Sequence, residues 1–176
     1  MADLDHEKKL AALAAVLEVR DGMRVGLGTG SSAKHAIEAI GARMKDGLRI
    51  EAVATSSRSE ELARALGIRL LKLSDVSRVD LAIDGADEVD PALAVIKGGG
   101  GALFLEKIVA QMAERFIVIV DSTKLVARLG RFKLPIEVLP ASAAWVGRAV
   151  ARLGVEPQQR ALADGEPFRT DQGNLL

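Results

Sequence analysis

The chain has no cysteine, no tyrosine and only two histidines, and aromatic residues make up 3% of it. The missing cysteine removes disulfides, zinc–thiolate sites and thiol nucleophiles together. A chain without disulfides suits the cytosol. Of the two histidines, His6 lies in a charged, frayed start, and His35 falls on the solvated side of a helical pattern. Acid–base chemistry is therefore left mainly to carboxylates and lysines. An excess of either charge is also missing, with Lys+Arg and Asp+Glu at 24 each. That balance gives no electrostatic case for nucleic acid or for an anionic membrane surface as a partner. No apolar run approaches the roughly 20 residues of a membrane span. The stretch from Leu10 to Val19 resembles a signal peptide only superficially. It is Ala-heavy, holds Glu18 and lacks a small-residue cleavage pattern, so it reads as an amphipathic helix.

What is present is a core-forming composition, 49% hydrophobic over 176 residues. That is enough for one good-sized domain and the start of a second. Short apolar runs alternate with longer amphipathic ones, which argues for βαβ units. The expected class is α/β, a Rossmann-like parallel sheet with helices on both faces. Strands are expected over 23–27, 49–54, 68–73, 79–83, 93–96 and 116–120. Helices are expected over 5–19, 33–44, 57–66 and 102–115, the third opening on a capping-box signature at Ser57-Arg58-Ser59-Glu60. The pattern changes near Pro135. A strand over 136–139, a helix over 141–153 and strand-like pieces over 158–162 and 167–170 suit an incomplete small α+β lobe. The division is then residues 1–133 for the main domain and 134–176 for the lobe, with a strand starting at Asn174-Leu175-Leu176. Trp145, Phe104 and Phe132 are given packing roles. Arg148 and Arg152 are given a solvated helix face.

Five segments carry the chemistry. Gly26-Leu27-Gly28-Thr29-Gly30-Ser31-Ser32 joins a strand to a helix, where glycines admit a ligand and helix amides attract an anion. It is neither a Walker loop nor a full dinucleotide fingerprint, and the plain alternative is a tight turn. Asp84-Gly85-Ala86-Asp87-Glu88-Val89-Asp90 puts four carboxylates at the end of an apolar strand, where open α/β sheets bind ligands. They could serve sugar hydroxyls, hold magnesium, or form a solvated acidic turn. The residues nearest the strand end, Asp84 and Asp87, are the functional choice, with Asp90 in solvent and Glu88 in a solvated run. Lys97 precedes Gly98, Gly99, Gly100 and Gly101, a run suited to closing backbone amides on a negative group, with Lys97 stabilising an oxyanion. Glu106 has only Ala102, Leu103, Val109 and Ala110 as helical neighbours at three and four positions. A carboxylate on that stripe should have a raised pKa, as suits a general base. The alternative is a surface glutamate beside Lys107. Asp121-Ser122-Thr123-Lys124 follows a strand, so Lys124 could pair with a phosphate.

Together these motifs resemble type A ribose-5-phosphate isomerase over nearly the whole chain. The resemblance rests on the segments 26–32, 84–88, 97–100, Glu106-Lys107 and 121–124. It implies a cofactor-free, metal-free aldose–ketose isomerase of the pentose phosphate pathway, cytoplasmic and homo-oligomeric as a dimer or tetramer. Residues 1–133 would be the catalytic domain and Glu106 the proton acceptor, with Asp84, Asp87 and Lys97 around it. Thr29, Gly30, Ser31, Ser32, Gly85, Ala86, Gly98, Gly99, Gly100 and Lys124 would bind the sugar phosphate. Family members continue for several dozen residues past the segment 170–174, so the lobe is expected to be incomplete. Two other readings are a phosphosugar-sensing, non-catalytic domain and a sugar-phosphate deaminase.

Overall fold

The computed structural model describes residues 3–176; Met1 and Ala2, the start of the expected main domain, lie outside them. Helix α1 covers Leu4–Val16, strand β1 Arg24–Leu27, α2 Ser31–Lys45, β2 Glu51–Ala54, α3 Ser57–Ala65 and β3 Arg69–Leu70. Then come β4 Val79–Asp84, β5 Glu88–Val89, β6 Val95–Ile96, α4 Leu103–Met112, β7 Ala113–Val118 and α5 Ala143–Ala151. Five strands pair in the order β3-β2-β1-β4-β7, and every pairing among them is parallel.

Period-two alternation along the strands separates two cores. Val25 and Leu27 of β1 join Leu81 and Ile83 of β4 against Val16, Ile37 and Ile40 of α1 and α2. Val53 and Ala82 turn the other way and meet Val109 of α4. Gly26 lies on that second face, where a Cβ would come within 2.5 Å of Val109 Cγ1. Its missing side chain lets α4 lie close to the sheet. Leu27, Ile37, Ile40, Leu81 and Ile83 are all but fully buried, each worth about 1.5–3 kcal/mol over an exposed position. Arg43 of α2 donates to the Val16 and Val19 carbonyls, satisfying acceptors that the end of α1 leaves open.

Several boundaries differ from the expectation. The cap of α3 is Ser56, one residue early: its Oγ accepts from Ser59 N at 3.2 Å. Helix α4 stops at Met112 because Ala113 and Arg115 are drawn into the ladder opposite Val79 and Leu81. His6 is not frayed: Asp3 caps α1 by accepting its N–H. The His35 side chain is 17% exposed rather than solvated, because its Nε2 lies 3.0 Å from Asp5 of α1.

The C-terminal segment departs furthest. The strands expected over 136–139, 158–162 and 167–170 shrink to single antiparallel bridges, Val138 with Leu175, Arg169 with Leu175, and Ala161 with Pro167. A short 3-10 turn at Pro140–Ser142 leads into α5. Trp145, Phe104 and Phe132 are 63%, 51% and 38% exposed, contrary to their expected packing roles. Packing from within the chain leaves their faces open, and α5 has no buried residue among those described.

The chain winds outward from β1 to β3, then crosses back to lay β4 and β7 on the other side of β1. The turns after β1 and β4 are therefore neighbours at the C-terminal edge of the sheet, where such folds bind ligands. The antiparallel pair β5–β6 then folds the chain back, so that Lys97 returns to the end of β4.

Candidate active site

The site begins at the turn after β1. Gly28 lies so close to β4 that a Cβ there would collide with the Asp84 carboxylate. Gly30 takes φ +102° at the N-cap of α2, a conformation that favours glycine. These two positions let the first-turn amides of α2 open onto the cleft. Thr29 donates its N–H to Asp84 Oδ1 at 2.9 Å, and its hydroxyl lies 2.8 Å from that of Thr55.

Asp84 is 3% exposed. Its Oδ1 accepts from Thr29 N and Gly85 N, and its Oδ2 accepts from Lys97 Nζ at 2.8 Å. Lys97 Nζ also donates to Gly85 O at 2.6 Å and lies 3.3 Å from Glu106 Oε2. That last approach is an ion-pair distance off the axis of a hydrogen bond, so Glu106 Oε2 has no hydrogen-bond partner among the described residues. A buried carboxylate oxygen without one is unusual.

Electrostatics sets the protonation of this cluster. Burial, then repulsion from Asp84, pushes Glu106 up to about 7, with Lys97 opposing and Asp87 adding to the rise. Burial alone would lower Lys97, but the charges of Asp84 and Glu106 outweigh it and hold Lys97 above its ordinary value. A carboxylate poised near neutrality beside a fixed ammonium suits proton transfer at carbon.

The glycine loop is tied to the same cluster. Gly99 donates its N–H to Asp87 Oδ2 at 2.8 Å, so Asp87 braces the loop through one carboxylate oxygen. A cleft of about 240 Å³ is lined by Thr29–Ser32, Gly85–Asp87, Lys97–Gly100, Glu106, Lys124 and Lys8. Every site residue expected from sequence thus borders this cleft, except Asp84, which lies directly behind Lys97.

The comparisons bear on this geometry directly. The family model for ribose 5-phosphate isomerase A (phosphoriboisomerase A) matches residues 51–176. The ribose-5-phosphate isomerase A of Sphingopyxis alaskensis is 51% identical over 176 residues, which is 100% of this chain and 77% of that protein. The crystal structure of ribose 5 phosphate isomerase A from Neisseria gonorrhoeae is 41% identical, with TM-score 0.90, over 99% of this chain and 75% of that one. A D-ribose-5-phosphate isomerase solved in complex with phospho-erythronic acid is 37% identical, with TM-score 0.92, over 99% and 78%. The chain belongs to the ribose 5-phosphate isomerase A family.

Within this ribose 5-phosphate isomerase A fold, three side chains differ from the sequence reading. Glu88 is not solvated but fully buried, and its carboxylate accepts from Gly130 N at 2.7 Å and Phe132 N at 2.5 Å. These bonds, Gly130's foremost, hold it below the usual carboxylate range. Its role is to pin the 130–132 loop. Asp90, expected in solvent, is half-buried and closes a turn by accepting from Ala92 N and Ala94 N. Lys8 was missed. It borders the cleft and lies 3.8 Å from Asp121, while Glu7 accepts from Ser122 N at 2.7 Å. Helix α1 is thereby joined to the turn carrying Lys124. No local signal separates Lys8 from its exposed neighbour Lys9.

Proposed function

We propose that this chain interconverts ribose 5-phosphate and ribulose 5-phosphate through an enediolate, with Glu106 as the base. The observation that carries this reading is the buried Glu106 carboxylate, raised to about 7 and 3.3 Å from the ammonium of Lys97. Family membership supports the reaction and the substrate. It does not favour a sensing domain or a deaminase.

The chemistry follows from the parts. Ionised Glu106 takes the proton from C2 of the open-chain aldose. The C2–H electron pair becomes the C1–C2 double bond, and negative charge collects on O1. Lys97 and the amides of Gly98–Gly100 stabilise that charge. Glu106 then returns its proton to C1, while the O2 hydroxyl proton passes to O1 and leaves a ketone at C2. Asp84 already accepts three hydrogen bonds, so its role is to fix the Lys97 ammonium. Asp87, with one oxygen committed to Gly99, is better suited to exchange hydroxyl protons. The phosphate lies on the amides and hydroxyls of Thr29–Ser32 with Lys124 and Lys8. Gly85 and Ala86 contribute backbone to the sugar-binding wall.

Lys97 Nζ stands between Asp84 and Glu106, where a catalytic cation would otherwise be needed, and the reading assigns no metal or organic cofactor. We further read the protein as cytoplasmic and homo-oligomeric, with residues 134–176 a small lobe on the main domain at 1–133. The exposed Trp145, Leu139 and Leu153 support self-association. The test is an assay coupling ribulose 5-phosphate formation to a detector, run with and without exhaustive chelation. Turnover unaffected by the chelator is expected. No ribulose 5-phosphate formed from ribose 5-phosphate would sink the reading, and loss restored by magnesium would overturn its metal-free part.

A further inference from the structure

Helix α4 carries Glu106 in its first turn and has no side-chain cap from its own N-cap residue, Ala102. An α-helix begins with N–H groups that lack intrahelical acceptors. One of these, Phe104 N–H, is taken by a residue 33 positions away: Glu137 Oε2 accepts it at 2.9 Å. Glu137 is itself held. Its Oε1 accepts from Thr170 Oγ1 at 2.7 Å and from Asn174 Nδ2 at 2.9 Å. Thr170 is 5% exposed, and its hydroxyl also accepts from Asn174 N.

The same segment touches the glycine loop. Arg160 donates to Gly99 O at 2.6 Å and lies 4.2 Å over the Phe168 ring. Phe168 fills the space beside Gly101, where a Cβ would come within 2.6 Å of it. Asp171 N donates to Gly101 O at 3.3 Å. These contacts bracket residues 99–104, immediately before the base. Only the Glu137 contact supplies a charge to the helix end itself, where a negative group is favoured by the helix dipole.

We propose that Glu137 is a positioning residue for the isomerisation: as an external cap on α4, oriented by Thr170 and Asn174, it fixes the first turn so that Glu106 faces Lys97 and the cleft. The carboxylate accepts from three protein donors, one on the helix end and two that orient it. It does not border the cleft, so it acts through α4 and not on substrate. A displacement of about 1 Å at a reacting group can lower turnover about 100-fold. Loosening the turn would also admit water to Glu106. The charged groups facing Glu106 are Lys97, Asp84 and Asp87, and their balance depends on its burial.

This inference rests on Glu106 being the base, and the experiment separates the two. Glu106→Gln, Glu137→Ala and Glu137→Gln are measured in the full chain for kcat, KM, the acid limb of kcat/KM and melting temperature. Glu137→Ala should lower kcat by about 10- to 100-fold with KM within about twofold, at temperatures where it remains folded. Its acid limb should move to lower pH, because a better-hydrated Glu106 ionises more readily. Glu137→Gln keeps an oxygen for Phe104 N–H and should return kcat to within about threefold of the wild type. A Glu137→Ala variant with wild-type kcat and acid limb, while Glu106→Gln is inactive, would overturn the positioning role alone. Wild-type turnover in Glu106→Gln would overturn the base assignment itself. If Glu137→Ala does not fold, Thr170→Val removes one of the two orienting donors. A drop of about threefold in kcat at unchanged KM supports the proposal, and no drop in the folded variant refutes it.

Discussion

The two sides of the cleft are built on different principles. Around Glu106, Asp84 and Lys97 both carboxylates are buried and the half-buried ammonium joins them, by a hydrogen bond to Asp84 and an ion pair with Glu106. Around Thr29–Ser32, Lys8 and Lys124 the residues are half-buried or exposed at Thr29, Gly30, Ser31 and both lysines, with only Ser32 buried, and the positive charge is supplied by lysine side chains and helix amides. Burial makes a carboxylate's proton affinity adjustable, because desolvation acts on the charged form. Helix amides and cationic side chains at the edge of a cleft favour an anion. The first arrangement suits changing bonds and the second suits holding a dianion, as proposed above, and the difference should be separable by mutation.

The largest effect is expected at the buried side. Glu106→Gln keeps the shape but cannot accept a proton, and a positioned base is typically worth about 10²–10⁴-fold. The expected result is a fall in kcat of that size with KM little changed. The wild-type kcat/KM should fall as pH drops through about 7, because Glu106 must be ionised to act. In deuterated water the wild type should incorporate deuterium at the reacting carbon far faster than the variant. Equal exchange in the two proteins would return Asp87 as the candidate base.

Legibility from the sequence follows the same division. The burial of Glu106 was legible because its helical neighbours are apolar, and two of them, Ala102 and Val109, are each 1% exposed. The parallel sheet was legible from alternating runs, since period and length are local properties. Glu88 was misread because its neighbours Asp87 and Asp90 suggest solvent, whereas its acceptors are satisfied by a loop 42 and 44 residues away. Lys8 was invisible for the same reason: its importance is the long-range contact of α1 with the 121–124 turn. Trp145 and Phe104 were expected to pack because large aromatic groups usually do. Whether a face is covered depends on what lies beyond the element, which no window of sequence around it reports.

A smaller effect is expected in stability. The folded state holds the Glu106 proton up to about 7, against an ordinary value of 4.5. Between those values the folded chain binds more protons than the unfolded one, so stability falls as pH rises across that window. The loss should be on the order of 1–3 kcal/mol. Glu88, Asp5 and Asp121 are shifted the other way, below their ordinary values of 4.5, 3.8 and 3.8, so their contributions are lost only in more acidic solution. Lys97 is raised above 10.5 and titrates above the window. Urea unfolding of wild type and Glu106→Gln at pH 5 and pH 8 checks this. The variant should flatten the slope and be the more stable of the two at pH 8; a parallel slope in both proteins would assign the pH dependence elsewhere.

The smallest effect is expected on the exposed side and should appear in a different parameter. Lys124 and Lys8 border the cleft but neither contacts Glu106 nor Lys97 through a hydrogen bond or ion pair. A phosphate group remote from C1 and C2 is bound alike in the ground and transition states, so its loss raises KM more than it lowers kcat. Lys124→Ala should raise KM by about tenfold, with kcat within about threefold, as befits one charge-assisted contact of about 1.5 kcal/mol. Lys8→Ala should do less, about threefold, because Lys8 shares its charge with Asp121 at 3.8 Å. Equal losses of kcat and kcat/KM in Lys124→Ala would mean that this lysine acts on the reacting carbons after all, and the contrast between the two sides of the cleft would fail.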